Sequence, residues 1–132
     1  MKVFIDNNLP PRLARALHIL VEPEGHEVAH LRDRFPEDAA DTEWITRLGA
    51  EGDWVVITSD LDVSRSHIEK AVWRRYGLVA FLLTKGFNSF SPLEVSWRLI
   101  KLWPKIEQQV SLASPGSIYK LTPNSGGKIG TV

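Results

Sequence analysis

Cysteine is absent from this 132-residue chain. Without a thiol there is no disulfide framework, no thiolate zinc site and no cysteine nucleophile. Long hydrophobic runs are missing as well. No stretch is long enough to span a bilayer, and the opening MKVFIDNN lacks the apolar core of a signal peptide. The expectation is a cytoplasmic protein with no membrane partner. Net charge is also lacking, at a formal +0, but that zero combines two unequal halves. Residues 1–62 hold 13 of the 16 acidic and 6 of the 16 basic residues, a balance of −7. Residues 63–132 hold 3 acidic and 10 basic residues, a balance of +7. Such asymmetry suits an acidic pocket beside a basic surface, unless the fold interleaves the halves and mixes the charges.

The composition that remains is globular, with 43% hydrophobic and 24% charged residues, and the length suits one core. Apolar runs predict strands over Lys2–Asp6, His26–Leu31, Trp54–Ser59 and Leu78–Thr84. Between them, Leu9, Leu13, Leu17, Leu20 and Val21 recur at helical spacing after Pro10 and Pro11. A polar loop is expected over Arg32–Ala40, then a helix that begins near Asp38–Asp41 and turns Ile45 and Leu48 inward. Ile68, Val72 and Tyr76 mark a third helix. Ser91–Glu94 has capping-box spacing and opens a fourth, with a kink expected at Pro104. Ser117–Thr122 suits a last edge strand, so the domain is expected over 1–122 with a flexible tail over 123–132. Strands alternating with helices predict an α/β three-layer sandwich around a mainly parallel central sheet. Trp54 and Trp103 are expected in the core. Trp73 and Trp97 are expected on helix surfaces, available to a partner or a homodimer.

In such a sheet the carboxyl ends of the strands line the ligand crevice. Asp6 ends the first strand, and Asp60 and Asp62 follow the third in the run WVVITSDLD. Asp41 lies about 40° from Ile45 around its helix, so it shares the inward face, whereas Glu43 lies roughly opposite. Asn8 offers an amide nearby. Each acid taken singly could be a cap or a turn former. Taken together, carboxylates gathered at one edge repel one another by several kcal/mol unless a cation or shared protons compensate. A hard divalent ion, Mg²⁺ or Mn²⁺, is the natural counterpart. His18, His26 and His30 suit packing or surface roles better than a zinc site.

FIDNNLPPRLARAL, GHEVAHLRD, DTEWI and VVITSDLD follow in an order and spacing similar to the PIN-like domains. The resemblance is to the small toxin-type branch of the PIN ribonuclease superfamily and covers roughly residues 2–85. It implies an acidic pocket for Mg²⁺ or Mn²⁺, metal-dependent cleavage of RNA phosphodiester bonds, and a toxin paired with an antitoxin protein. Carried over by position, Asp6 matches the first-strand aspartate, Asp41 the helix acid, Asp60 the aspartate after the T-x motif and Asp62 the last acid. Many members place glutamate at the helix position, and DTEW offers both Asp41 and Glu43; helical phase favours Asp41. RNA phosphates would meet Lys85 after the fourth strand, with Arg65, Arg74 and Arg75 around the third helix. A phosphoacceptor receiver domain is a competing reading, with Asp6, Asp60 and Lys85 in the key positions. A non-catalytic PIN-like module that binds protein is another.

Overall fold

Val3, Phe4 and Ile5 are each 0% exposed, as expected of a strand covered on both faces. They belong to β1 (Lys2–Ile5), which is followed by β2 (Glu27–His30), β3 (Trp54–Thr58), β4 (Val79–Leu83), β5 (Ile118–Leu121) and β6 (Ile129–Thr131). The helices are α1 (Pro11–Val21), α2 (Leu31–Arg34), α3 (Asp41–Glu51), α4 (His67–Tyr76) and α5 (Pro92–Leu112). The computed structural model describes residues 1–60, 67–123 and 129–131. Its six strands form one sheet of order β2-β1-β3-β4-β5-β6, in which the first five are parallel and β6 is antiparallel to β5.

Side chains alternate across the sheet into two separate cores. Val3, Ile5, Val55, Ile57 and Phe81 pack against Leu13 and Leu17 of α1 and Leu99 and Ile106 of α5. Phe4, Val56 and Ala80 pack against Trp44, Ile45 and Leu48 of α3 and Trp73 of α4. Phe4 stacks on Trp44 with ring centroids 5.1 Å apart. The chain is therefore an α/β three-layer sandwich, as its alternation predicts. No helix among the described residues is long and apolar enough to cross a membrane.

Four local expectations change. Part of the loop expected over Arg32–Ala40 is helical, because His30 caps α2: its Nδ1 accepts the Arg32 N–H at 3.0 Å, and Asp33 accepts the His30 N–H at 3.1 Å. Leu20 is exposed and not inward, at the margin of the helical stripe that buries Leu13, Ala14, Leu17 and Val21. Trp73 is fully buried in the α3/α4 layer, where its ring meets Trp44 edge-on, and so offers no surface to a partner. Residues 129–131, expected in a loose tail, pair with β5 as β6, which makes β5 an interior strand. α5 continues past Pro104 to Leu112, and Ser91 caps its start by accepting the Glu94 N–H at 3.2 Å.

Candidate active site

β1 and β3 pair in parallel with Ile5 opposite Ile57, so the residues after them, Asp6 and Thr58, emerge side by side. The Asp6 N–H extends the ladder to the Ile57 carbonyl at 3.4 Å. Strand alternation points both side chains into the α3 layer, continuing the series of Phe4 and Val56. β1 is also where the connections diverge, to β2 on one side and β3 on the other, which is the switch point at which open parallel sheets bind ligands.

Asp6 is 6% exposed and held from two directions. Its Oδ1 accepts the Asn8 N–H at 3.2 Å, and its Oδ2 accepts the Thr58 hydroxyl. Thr58 Oγ1 in turn accepts the Asp60 N–H at 3.0 Å, so one buried hydroxyl joins the two acids. Burial pushes the Asp6 carboxyl up to about 6; the bonds from Thr58 and Asn8 oppose this, and the charges of Asp60 and Asp41 add to it. Asp41 begins α3, where its Oδ1 accepts the Trp44 Nε1–H at 3.1 Å. It acts on Asp6 electrostatically, whereas Glu43 is exposed. No side chain caps α3, whose N-cap is Ala40, so neither Asp38 nor Asp41 serves as the cap their spacing allows.

The loops around these acids are tied down. His30, 0% exposed at the tip of β2, donates from Nε2 to the Leu9 carbonyl at 2.6 Å. Its Nδ1 accepts from Arg32, which assigns the proton to Nε2. The turn from Asp6 is closed by the Leu9 N–H on the Asp6 carbonyl at 3.3 Å. Arg32 donates to Asn7 Oδ1 at 2.8 Å and pairs with Glu37 at 3.2 Å, linking the Asp6 turn to the loop that leads into α3.

The sequence marks Thr58 only as the threonine of the T-x motif, gives Trp44 and Arg32 no part in the site, and suits His30 to packing or the surface. Thr58 was within reach, because a polar residue on the inward phase of a buried strand needs a partner. Lys85 is exposed directly after β4, at the same sheet edge as Asp6. Arg74 and Arg75 are not brought to that edge. α4 returns the chain to the amino end of β4, and Arg74 sits against Gly116, just before β5 begins. Asp62 and Arg65 lie outside the described residues.

Among the described residues, no group of three or more acids or histidines is arranged to hold a metal ion. The donors themselves are carboxylate oxygens and a hydroxyl, a chemistry that fits a hard cation and not a soft one. Among the described residues each Asp6 oxygen receives one hydrogen bond, which leaves it further acceptor capacity.

A family model described as a PIN like domain matches residues 1–85. No curated protein and no solved structure matches the chain. PIN-like domains are in general nucleases and typically use divalent metals. The match spans more than half of the chain, including β1, α3 and β3 that carry Asp6, Asp41 and Thr58: the protein belongs to the PIN-like domain family.

Proposed function

We propose that the protein is a metal-dependent ribonuclease whose centre is built on Asp6, Asp41, Asp60 and Asp62. The observation that carries this reading is the buried Asp6 carboxylate at the strand switch point, raised toward neutrality by burial and by Asp60 and Asp41. A protein has little reason to hold repelling carboxylates at one edge unless a cation offsets them. Asp6 and Asp60 would hold a Mg²⁺ or Mn²⁺ ion, with Asp41 and Asp62 completing the set.

When bound, such an ion lowers the pKa of a coordinated water and offsets charge on a phosphodiester. The chain's own part is preorganisation. Thr58 fixes the Asp6 rotamer and the Asp60 backbone with one hydroxyl, Trp44 orients Asp41, and His30 holds the turn after Asp6. Lys85 would meet an RNA phosphate at the same edge. By the resemblance of its motifs to the toxin-type branch, the protein would act as a toxin with an antitoxin partner.

A second reading has one observation in its favour. The order β2-β1-β3-β4-β5 is that of flavodoxin-like folds, among them receiver domains. Against it, Thr58 and not an aspartate occupies the end of β3, and Asp60 lies two residues beyond.

The deciding experiment is cleavage of a panel of structured and single-stranded RNAs with Mn²⁺, Mg²⁺ or EDTA, with Asp60→Asn beside wild type. Metal-dependent cutting is expected, falling at least ~100-fold in the variant, as for loss of a principal electrostatic contributor. Cutting that survives EDTA and Asp60→Asn equally would sink the reading. A stable acyl phosphate on Asp60 after incubation with a small phosphodonor would favour the receiver.

A further inference from the structure

The strand tips present a second side. Asp6 and Thr58 point toward α3, and Ser59 follows in the opposite phase, toward the α1/α5 layer. There a cleft of about 180 Å³ opens between the starts of α1 and α5. Asn8, Ser59, Phe87, Asn88 and Phe90 are among the residues that line it, together with Leu13.

We propose that this cleft is a nucleobase subsite, taking one unpaired base of an RNA strand whose phosphate lies at Asp6 and Asp60. The identity of its ligand rests on the ribonuclease reading. Three observations carry the assignment. The first is size: the cleft has the liquid volume of roughly six waters, the scale of one flat ring system, and is smaller than the ~300 Å³ at which drug-sized sites begin.

The second is chemistry. Among the described residues no charged side chain lines the cleft. Besides aliphatic side chains and prolines it offers the half-buried Phe90 ring, two amides and a hydroxyl, groups that pack on a base face and bond a base edge. Among the described residues a phosphate finds no counter-charge in it. The Phe90 ring is held in place from below: Phe87, 3% exposed, meets it edge-on at 5.9 Å. The Arg98 guanidinium lies 4.3 Å from the Phe90 centroid and is itself fixed by Glu94 at 3.0 Å and the Pro123 carbonyl at 3.2 Å.

The third is continuity with the acids. The backbone N–H of Asn8 bonds Asp6, and Ser59 stands between Thr58 and Asp60. Asn8 and Ser59 thus join the cleft to the acids, an anion-handling side and a neutral side on opposite sides of the strand tips. A nucleotide has the same division, phosphate on one end of its sugar and base on the other.

The test is calorimetric titration, in Mn²⁺, of uridine and adenosine 5′-monophosphates against ribose 5-phosphate. Wild type is compared with Phe90→Leu, which keeps apolar bulk but removes the ring, and with Asn88→Ala at an exposed position; circular dichroism verifies folding. At least one nucleotide is expected to bind about tenfold more tightly than ribose 5-phosphate. Phe90→Leu should erase most of that advantage, Asn88→Ala should reduce it, and neither should alter ribose 5-phosphate affinity. Equal affinities in wild type, or an advantage that both variants retain, overturns the subsite. RNA cleavage without base-dependent binding keeps the nuclease and removes the subsite. Base-dependent binding lost in Phe90→Leu, with no RNA cleavage, keeps the subsite and removes the nuclease.

Discussion

At Asp6, burial and charge act on the same carboxyl. Its pKa rises from 3.8 to about 6, chiefly through burial, with Asp60 and Asp41 adding to the shift. A carboxyl that is less acidic in the folded than in the unfolded chain takes up a proton on folding. Its stabilisation is therefore full below about 3.8 and is lost as pH rises through about 6. By pH 8 the metal-free protein has lost about 3 kcal/mol from this one group. We predict that Asp6→Asn stabilises the metal-free protein by about 1–3 kcal/mol at pH 8 and gives no such gain at pH 4, measured by urea unfolding at both pH values. Equal destabilisation at both would mean that the bonds from Thr58 and Asn8 outweigh the charge. The sequence made Asp6 and Asp60 legible as strand-end acids. Thr58 is marked there only as the threonine of the T-x motif; its role is not legible, because only the pairing of β1 with β3 sets its hydroxyl on Asp6.

At the scale of elements, α3 must lie close enough to the sheet to present Asp41. Gly49 sets its approach to α4: a Cβ there would overlap Tyr76 Cβ and come within 2.8 Å of Tyr76 Cγ. Alanine ordinarily gains about 1 kcal/mol over glycine inside a helix. Here the overlap falls on atoms fixed to the α4 backbone, which cannot rotate away. Gly49→Ala is therefore expected to destabilise by about 1–3 kcal/mol, seen as a lower Tm. An unchanged or raised Tm would show that α3 and α4 can part without cost. Hydrophobic period identified α3 and its inward Ile45 and Leu48. It could not identify the close approach, because a lone glycine in a helix carries no signature of what faces it.

For the whole molecule, the charge asymmetry acquires a geometry. β2, β1 and β3 come from the acidic half and β4, β5 and β6 from the basic half, so the sheet divides between β3 and β4 without interleaving. The helices do cross: α5, from the basic half, covers the same core as α1. Metal binding should register on the stability of the entire domain by mass action. With Mn²⁺ at 100 times its Kd, wild type should gain about 2.7 kcal/mol, or roughly 10 °C in Tm, by scanning fluorimetry. Asp60→Asn should show no comparable rise. The same shift in both proteins would place the ion elsewhere.

The sequence by itself determined the alternation of strands and helices, the parallel sheet that follows from it, and the delivery of Asp6 and Asp60 to one edge. These depend on periodicities of two and 3.6 residues and on strand-end positions, all local properties of the chain. Only the tertiary structure decided what those positions face. It set Thr58 between Asp6 and Asp60, gave Asp41 rather than Glu43 the electrostatic reach to Asp6, buried Trp73 against Trp44, and added β6 to a sheet expected to end at β5. It also carried Arg74 to the edge opposite the acids. For the contacts of Thr58 with Asp6, of Trp73 with Trp44 and of Arg74 with Gly116, the reason is that segments distant in sequence become neighbours, through parallel crossovers whose packing no local pattern encodes; β6 instead returns antiparallel beside β5.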